Sequence, residues 1–347
     1  MDPEPLISAL TELSADLGLF LSNAHPRQDK FSDLLRKAGL VNPWFTEGNI
    51  RHRLGVIARD LKREHLEQWL GPYRSRLPDR RNSPVLGIIM PGNIPLAGFH
   101  DYLCGLMCGC SMKIRCSGKD SLLLPWLHEE LLSFLPANPT DIRFIDGHLH
   151  GFDALIATGS SDSEHIFRTY FSQYPNIIRG HRNSLALLDG NESIDELSEL
   201  WDDILLYFGL GCRSVSMLLL PRHYEFSSLM ESSARYAHYA DHHRYQSNFR
   251  YQHTLKLLGG NPWLENGLIH VCENPDPDSP ISVLHYQYYS CPEEALKKTE
   301  EMRNQIQCVI HRGGLSHDFI SPGKAQLPAL SDYADGVDTM DFLLGLK

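Results

Sequence analysis

Apolar residues recur at three- and four-residue steps from the start of the chain. Leu6, Leu10, Leu13, Leu17 and Phe20 make one stripe, and Ile57, Leu61, Leu66, Trp69 and Leu70 a second. This spacing predicts helices over residues 4–71, with Asn49 a candidate cap and packing rather than chemistry as the segment's task. Residues 71–82, GPYRSRLPDRRN, are polar, basic and interrupted by prolines, and read as a linker that ends the helical region. The period then changes. Residues 85–90, VLGIIM, form the short apolar run expected of a buried parallel strand, followed by a glycine and proline turn and a helix from about Leu96. Strands over 113–116, 142–145 and 154–158 alternate with helices over 122–135 and beyond Gly159, where SSDSEHIFRTYF opens with hydroxyls. Such alternation predicts a parallel sheet with crossover helices, and a nucleotide fits the carboxyl ends of such strands.

From Ser184 the pattern restarts. SLALLD reads as a strand, and Ser193 with Glu196 three residues on reads as the capping box of a helix reaching about Tyr207. VSMLLLP is a strand, and a helix follows from Phe226 to about His243. Further strands are expected over 268–272 and 281–286, then a helix over 292–305 and the strand CVIH. The final stretch, SDYADGVDTMDFLL, ends in a short apolar segment expected to add an edge strand.

At 347 residues the chain can form two domains, each with its own core. With 42% hydrophobic and 22% charged residues it reads as a soluble globular protein. A net charge of −11 and the lack of a concentrated basic surface argue against nucleic acid as a partner. The opening MDPEPLISALTEL is acidic, with no basic stretch ahead of an apolar one, so no secretion signal is expected. No uncharged apolar run approaches the roughly 18 residues that would cross a bilayer, so no transmembrane segment is expected. Eight cysteines without an export signal predict reduced thiols and a cytoplasmic location. Cys104, Cys108, Cys110 and Cys116 cluster as C-x3-C-x-C-x5-C, without paired C-x2-C knuckles and partly within an apolar helical segment. They read as small buried hydrophobes, and no metal is expected.

The stretch with most chemical promise is 207–216, YFGLGCRSVS. Gly209 and Gly211 allow a tight turn and leave room for a substrate to approach Cys212. The charge of Arg213 favours thiolate over thiol. A structural cysteine beside a turn would read the same, so partners elsewhere in the chain decide.

Four blocks supply such partners: MPGNIPLAGFHDYLCGL, IRCSGKDSLLLP, IATGSSDSEHIFRTYFSQYPNIIRGHRNSLALLDGNE and YFGLGCRSVS. In order and spacing they resemble the aldehyde dehydrogenase superfamily and, within it, the long-chain acyl-CoA reductases related to the fatty-acid reductase of bacterial bioluminescence. The resemblance runs from about Phe45 onward, and SPGKAQLPALSDYADGVDTMDFLL is similar to the end of the same subfamily. It implies an α/β, aldehyde dehydrogenase-like fold of two Rossmann-like domains with the active site between them. The expected divisions are 1–179 for the helices and nucleotide-binding domain, 180–315 for the catalytic domain, and 316–347 for a segment returning to the first domain or to a partner subunit. Residues 71–82 are short for the β-arm through which relatives associate, so a homodimer or a reductase complex is the expected assembly.

Carried across, the resemblance makes Cys212 the nucleophile and Asn93 of the PGNIP turn the donor to the reacting carbonyl oxygen, joined by the backbone N–H of Cys212. Gly159 and Ser160 match the turn before the helix that faces the cofactor phosphates. Arg115 stands where many members carry a lysine on the adenosine ribose, and Gly118 where NAD-preferring relatives often place a carboxylate. With Lys119 beside them, NADPH is favoured over NADH. Hydrolytic members carry a glutamate at a position that falls near Ile177, yet NIIRGHR holds no acid. An acyl-cysteine thioester would therefore persist for exchange with CoA, unless His181 substitutes. The implied activity is NADPH-dependent reduction of a long-chain fatty acyl-CoA, or an acyl carrier thioester, to the fatty aldehyde. Alternatives are acylating oxidation in the reverse direction, a cysteine acyltransferase or thioesterase without nucleotide, and a non-catalytic subunit of a reductase complex.

Overall fold

In the computed structural model, which describes residues 3–77, 84–135, 140–313, 315, 316 and 319–346, four helices open the chain. They are α1 (Glu4–Leu21), α2 (Gln28–Val41), α3 (Glu47–Asp60) and α4 (Arg63–Leu70). Both apolar stripes are buried, and α1 packs on α3 and α4. Thr46, not Asn49, caps α3: its extended backbone lets Oγ1 accept the Asn49 N–H at 3.3 Å. Asn49 lies three residues inside, and its buried amide donates to the Trp44 carbonyl. The first half of the expected linker is a 3₁₀ segment, Gly71–Arg76; residues 78–82 lie outside the described residues.

The chain divides into two compact units, Met1–Gly180 with Ala329–Lys347, and His181–Pro328. In the first, β1 (Val85–Ile89), α5 (Phe99–Met107), β2 (Ser111–Arg115), α6 (Leu123–Leu132), β3 (Ile142–Phe144), β4 (Ala154–Thr158), α7 (Ser161–Phe171) and β5 (Asn176–Arg179) alternate as the pattern predicts. The sheet order is β3-β2-β1-β4-β5 and every pairing is parallel. Leu86 and Ile88 of β1, with Ala154 and Ile156 of β4, join the α1, α3 and α4 stripes in one core. Strand β5 was not anticipated, because only Ile177 and Ile178 mark it. Helix α5 begins three residues after Leu96, which adopts a φ of 52° and donates its N–H to Asp120 Oδ2 at 2.7 Å.

The second unit contains β6 (Asn183–Leu187), α8 (Ile194–Leu205), β7 (Val215–Pro221), α9 (Phe226–Ser232), α10 (His243–Gly259), β8 (Leu264–Glu265), β9 (His270–Glu273), β10 (Val283–Tyr289), α11 (Pro292–Glu301) and β11 (Ile306–Ile310). Its order is β11-β6-β7-β10-β9-β8, parallel except for β8, which runs antiparallel to β9. The Ser193–Glu196 capping box closes with both reciprocal hydrogen bonds. The helix expected over 226–243 is instead α9 followed by a 3₁₀ segment, Ser233–Asp241. Helix α10 then continues for 17 residues that carry little apolar periodicity, ending at Gly260 in the left-handed region.

The last apolar segment is a helix, α12 (Thr339–Leu344), and the expected edge strand is corrected accordingly. Asp338 caps it by accepting the Asp341 N–H at 2.8 Å, and Thr339, Met340 and Leu343 fall on one buried face against α5. Its Thr339 hydroxyl also receives Arg179, whose guanidinium pairs with Asp101 at 2.7 Å in the interior of the first unit.

In the second unit Asp203 of α8 is fully buried, accepting the Gly323 and Ala325 N–H groups at 2.7 and 2.9 Å. Burial pushes its carboxyl up to about 7, against the pull of those two N–H groups. A carboxyl raised in the fold binds its proton more tightly there than in the unfolded chain. Its contribution to stability is therefore fully present below the unfolded value and is lost as pH rises through 7. Asp203→Asn, which cannot ionise, should gain on wild type by on the order of 2 kcal/mol between pH 5 and pH 8, read from urea unfolding.

Candidate active site

All six residues that the sequence marks in the first unit fall on the carboxyl edge of its sheet. Asn93 is in the loop after β1, Arg115, Gly118 and Lys119 end β2 or follow it, and Gly159 and Ser160 follow β4. Gly92 brings the first two loops together: a Cβ built on it would lie 2.4 Å from Ser117 Oγ and 3.1 Å from Lys119 Cβ. Only glycine permits that approach, which sets Asn93, itself exposed, beside the β2 loop. Gly159 allows a similar approach to α7, since a Cβ there would lie 2.6 Å from Ser163 Cβ. Its N–H donates to the Arg179 carbonyl at 3.1 Å, tying the β4 loop to β5.

The β2 loop is open and positively charged. Arg115, Gly118 and Lys119 are exposed, neither cation has an ion pair among the described residues, and a Cβ on Gly118 would meet nothing within 4 Å. The β4 turn is less open to an anion. Ser160 Oγ already caps α7 by accepting the Ser163 N–H, and Asp162 and Glu164 add negative charge to the first turn.

In the second unit the Cys212 loop is held from three directions. Helix α8 ends in a 3₁₀ segment, Leu206–Gly209, in which Tyr207, Phe208 and Gly209 take φ values of 56°, 60° and 72°. Two consecutive bulky residues in the left-handed region are costly, by roughly 1–2 kcal/mol each. The turn is kept by burial, with Phe208 packed on Tyr239 at 4.1 Å and on His242 at 4.4 Å. Beyond the turn, the Cys212 carbonyl accepts from Ser184 Oγ of β6 at 2.9 Å. Arg213 Nε donates to the Ala325 carbonyl at 2.6 Å, and Gln326 donates to Ser214 Oγ at 3.3 Å. Half-buried Cys212 thus sits just before the amino end of β7.

The charge of Arg213 also acts on Cys308 of β11, whose Sγ lies 3.1 Å from Ser184 Oγ. Burial nevertheless pushes the Cys308 thiol up to about 11, so it stays protonated at neutral pH. Cys104, Cys108 and Cys110 are buried in the first unit, and burial pushes Cys110 and the half-buried Cys116 up to about 12.

Sequence reading missed Ser184, Asp203, Ala325 and Gln326, because only folding brings residues 112 positions apart to one loop: Cys212 itself carries no local sign of them. It also missed Glu164. No acid lies in NIIRGHR, but Glu164 of α7 reaches the end of β5, where a Cβ on Gly180 would overlap its carboxylate. Arg168 holds Glu164 at 2.8 Å. His181 is exposed, 3.1 Å from Asn183 Oδ1 and 3.5 Å from Asp278 Oδ1. A cleft of about 490 Å³, lined by Pro84, Asp153, Pro175, Phe342 and Leu346, lies at the amino edge of the first sheet, away from every residue selected for chemistry. No helix among the described residues is long and apolar enough to cross a membrane.

No family model matches the sequence, and neither does any curated protein. Solved structures do match. An NAD-dependent aldehyde dehydrogenase from Sinorhizobium meliloti is 16% identical over 89% of this chain and 71% of its own, with a TM-score of 0.58. A Mycobacterium tuberculosis aldehyde dehydrogenase complexed with NAD+ is 15% identical over 87% and 72%, TM-score 0.58. Aldehyde dehydrogenase 21 from Physcomitrella patens, in complex with the reaction product succinate, is 13% identical over 89% and 77%, TM-score 0.58. At such identities the likeness is one of fold, and it establishes that this chain has the α/β, parallel-sheet fold of the aldehyde dehydrogenases.

Proposed function

We propose that the protein is an oxidoreductase of the aldehyde dehydrogenase type that reduces a long-chain fatty acyl-CoA, or an acyl carrier thioester, to the fatty aldehyde with NADPH. One observation supports this reading most. Three loops distant in sequence, carrying Asn93, Arg115 to Lys119, and Gly159 with Ser160, meet at one carboxyl edge of a β3-β2-β1-β4-β5 sheet. The fold's solved representatives include an NAD+ complex.

Under this proposal Arg115 and Lys119 hold the 2′-phosphate, Gly118 leaves room for it, and the Gly159–Ser160 turn faces the pyrophosphate. The bound cofactor supplies hydride. Cys212 Sγ attacks the thioester carbonyl carbon, and the carbon–sulfur bond to CoA breaks, so that CoA leaves as a thiolate. Asn93 donates its amide N–H to the oxygen that becomes negative, together with the Cys212 N–H. After hydride has reached the acyl carbon, the oxyanion collapses, the bond to Cys212 breaks, and the thiolate is regenerated as the aldehyde departs. Overall a thioester, a hydride and a proton become an aldehyde and the CoA thiol. Arg213 and Ser184 position Cys212 through the loop that they anchor. Acylating oxidation of an aldehyde uses the same groups in reverse.

The position of Glu164 beside Gly180 favours a second reading, aldehyde oxidation by NADP+ in which water takes the acyl group from Cys212 and Glu164 is its base. Product analysis with aldehyde and NADP+ separates the two. If the first reading holds, turnover requires CoA and yields acyl-CoA; free acid formed without CoA, and lost in Glu164→Gln, establishes the second.

NADPH oxidation with a ladder of acyl-CoAs tests the proposal directly. Cys212→Ala should abolish turnover while NADPH still binds, as followed by protein fluorescence. Full turnover in that variant overturns the mechanism. Asn93→Ala should lower kcat by about a hundredfold or more with KM nearly unchanged, the pattern of an interaction made only in the transition state. Gly118→Asp should shift the ratio of kcat/KM for NADPH over NADH by at least about tenfold towards NADH, because the new carboxylate repels the 2′-phosphate and accepts from a 2′-hydroxyl.

A further inference from the structure

Three further side chains of the second unit converge on one point. Glu265 of β8 stands directly opposite His270 of β9 in the antiparallel pair, and His253 reaches over from α10. Glu265 Oε2 lies 2.8 Å from His253 Nδ1 and 3.2 Å from His270 Nδ1, and one ligand atom from each of the three residues lies within 4.8 Å of the other two.

The ring of His270 decides what belongs among them. Its Nε2 lies 3.1 Å from the Phe249 carbonyl, an acceptor, so this nitrogen carries the hydrogen. In the neutral ring, Nδ1 then presents a lone pair towards a carboxylate oxygen. The contact lacks hydrogen-bond geometry, and Nδ1 has no hydrogen-bond partner among the described residues although His270 is fully buried. Stacking on Phe249 at 4.2 Å fixes the ring, so rotation does not relieve the arrangement. The unsatisfied lone pair of buried His270 Nδ1 thus faces a carboxylate oxygen of half-exposed Glu265, an arrangement that a cation between them relieves.

From this geometry we infer a binding site for a divalent transition-metal ion, formed by His253 Nδ1, Glu265 Oε2 and His270 Nδ1, with Zn²⁺ the ion that its donors suit best. Two imidazoles and one carboxylate make a three-ligand zinc set that leaves a fourth position for water. Bonds of about 2.0–2.1 Å at tetrahedral angles place neighbouring donor atoms about 3.3 Å apart, close to the separations from Oε2 found here. The His270 Nε2–H to Phe249 carbonyl bond is the outer contact that commonly orients a metal-bound histidine. Lys256, the nearest cation on α10, is turned to Cys272 Sγ at 3.0 Å. The ion would fasten α10 to β8, an exposed edge strand of two residues held otherwise by its short pairing with β9.

The protein, freed of metal by chelation and dialysis, would be titrated with Co²⁺ and, separately, with Zn²⁺ against a chromophoric chelator. One equivalent should bind, giving the visible bands of tetrahedral Co²⁺ without a sulfur-to-metal charge-transfer band. Affinity should fall at least about a hundredfold in His253→Gln and in Glu265→Gln, whose altered side chains are half-exposed and whose folding is checked by circular dichroism. Excess Zn²⁺ should raise the Tm of wild type but not of either variant. Metal uptake equal in wild type and both variants, a thiolate charge-transfer band, or no uptake at all would overturn the assignment.

Discussion

Parallel pairing of β1 with β2 on one side and β4 on the other is the constraint on which the first unit depends. Parallel strands cannot be joined by tight turns, so the chain crosses over between strands, through α5, α6 and α7 or, from β3 to β4, through residues 145–153, and every strand ends on the same edge. Residues near positions 93, 117 and 160 therefore meet whatever else happens in the chain. Glycine completes the arrangement, because the loops after β1 and β2 touch at Gly92, where a Cβ would collide with Ser117. Buried Arg179 extends the same order to the end of β5, pairing with Asp101 of α5 and reaching Thr339 of α12. Removing one member of that pair would leave a charge stranded in the interior.

In the second unit, the loop bearing Cys212 owes its shape to contacts with distant segments. An aromatic cluster around Phe208 holds a left-handed turn that free peptide would avoid. Asp203 then orders residues 323–325 through two backbone N–H groups, and Ala325 in turn holds Arg213. A buried acid, a strained turn and an anchored arginine are each unfavourable in isolation. Together they leave half-buried Cys212 on a loop with little freedom.

How far such features could be read in advance depended on their range along the chain. The hydrophobic runs of β1, β4 and β7, the stripes of α1 and α4, and the Ser193–Glu196 box all depend on neighbours within a turn or two, and each was legible. Helix α10 and strand β5 were not, since one lacks periodicity and the other has only two apolar residues. The closing segment was read as a strand because its apolar run is short. Its buried residues, Thr339, Met340 and Leu343, follow helical spacing once α5 is there to receive them.

Two alternating α/β units, the strands whose ends carry Asn93, Arg115 and Gly159, and the glycine-flanked Cys212 were all legible along the chain, because period and turn chemistry are local properties. Folding alone brings Glu164 to Gly180, lets Asp203 and Ala325 anchor the loop of Arg213, and gathers His253, Glu265 and His270 at one point. Those meetings depend on side-chain direction and on which crossover lies over which strand. Neither leaves a periodic trace along the chain.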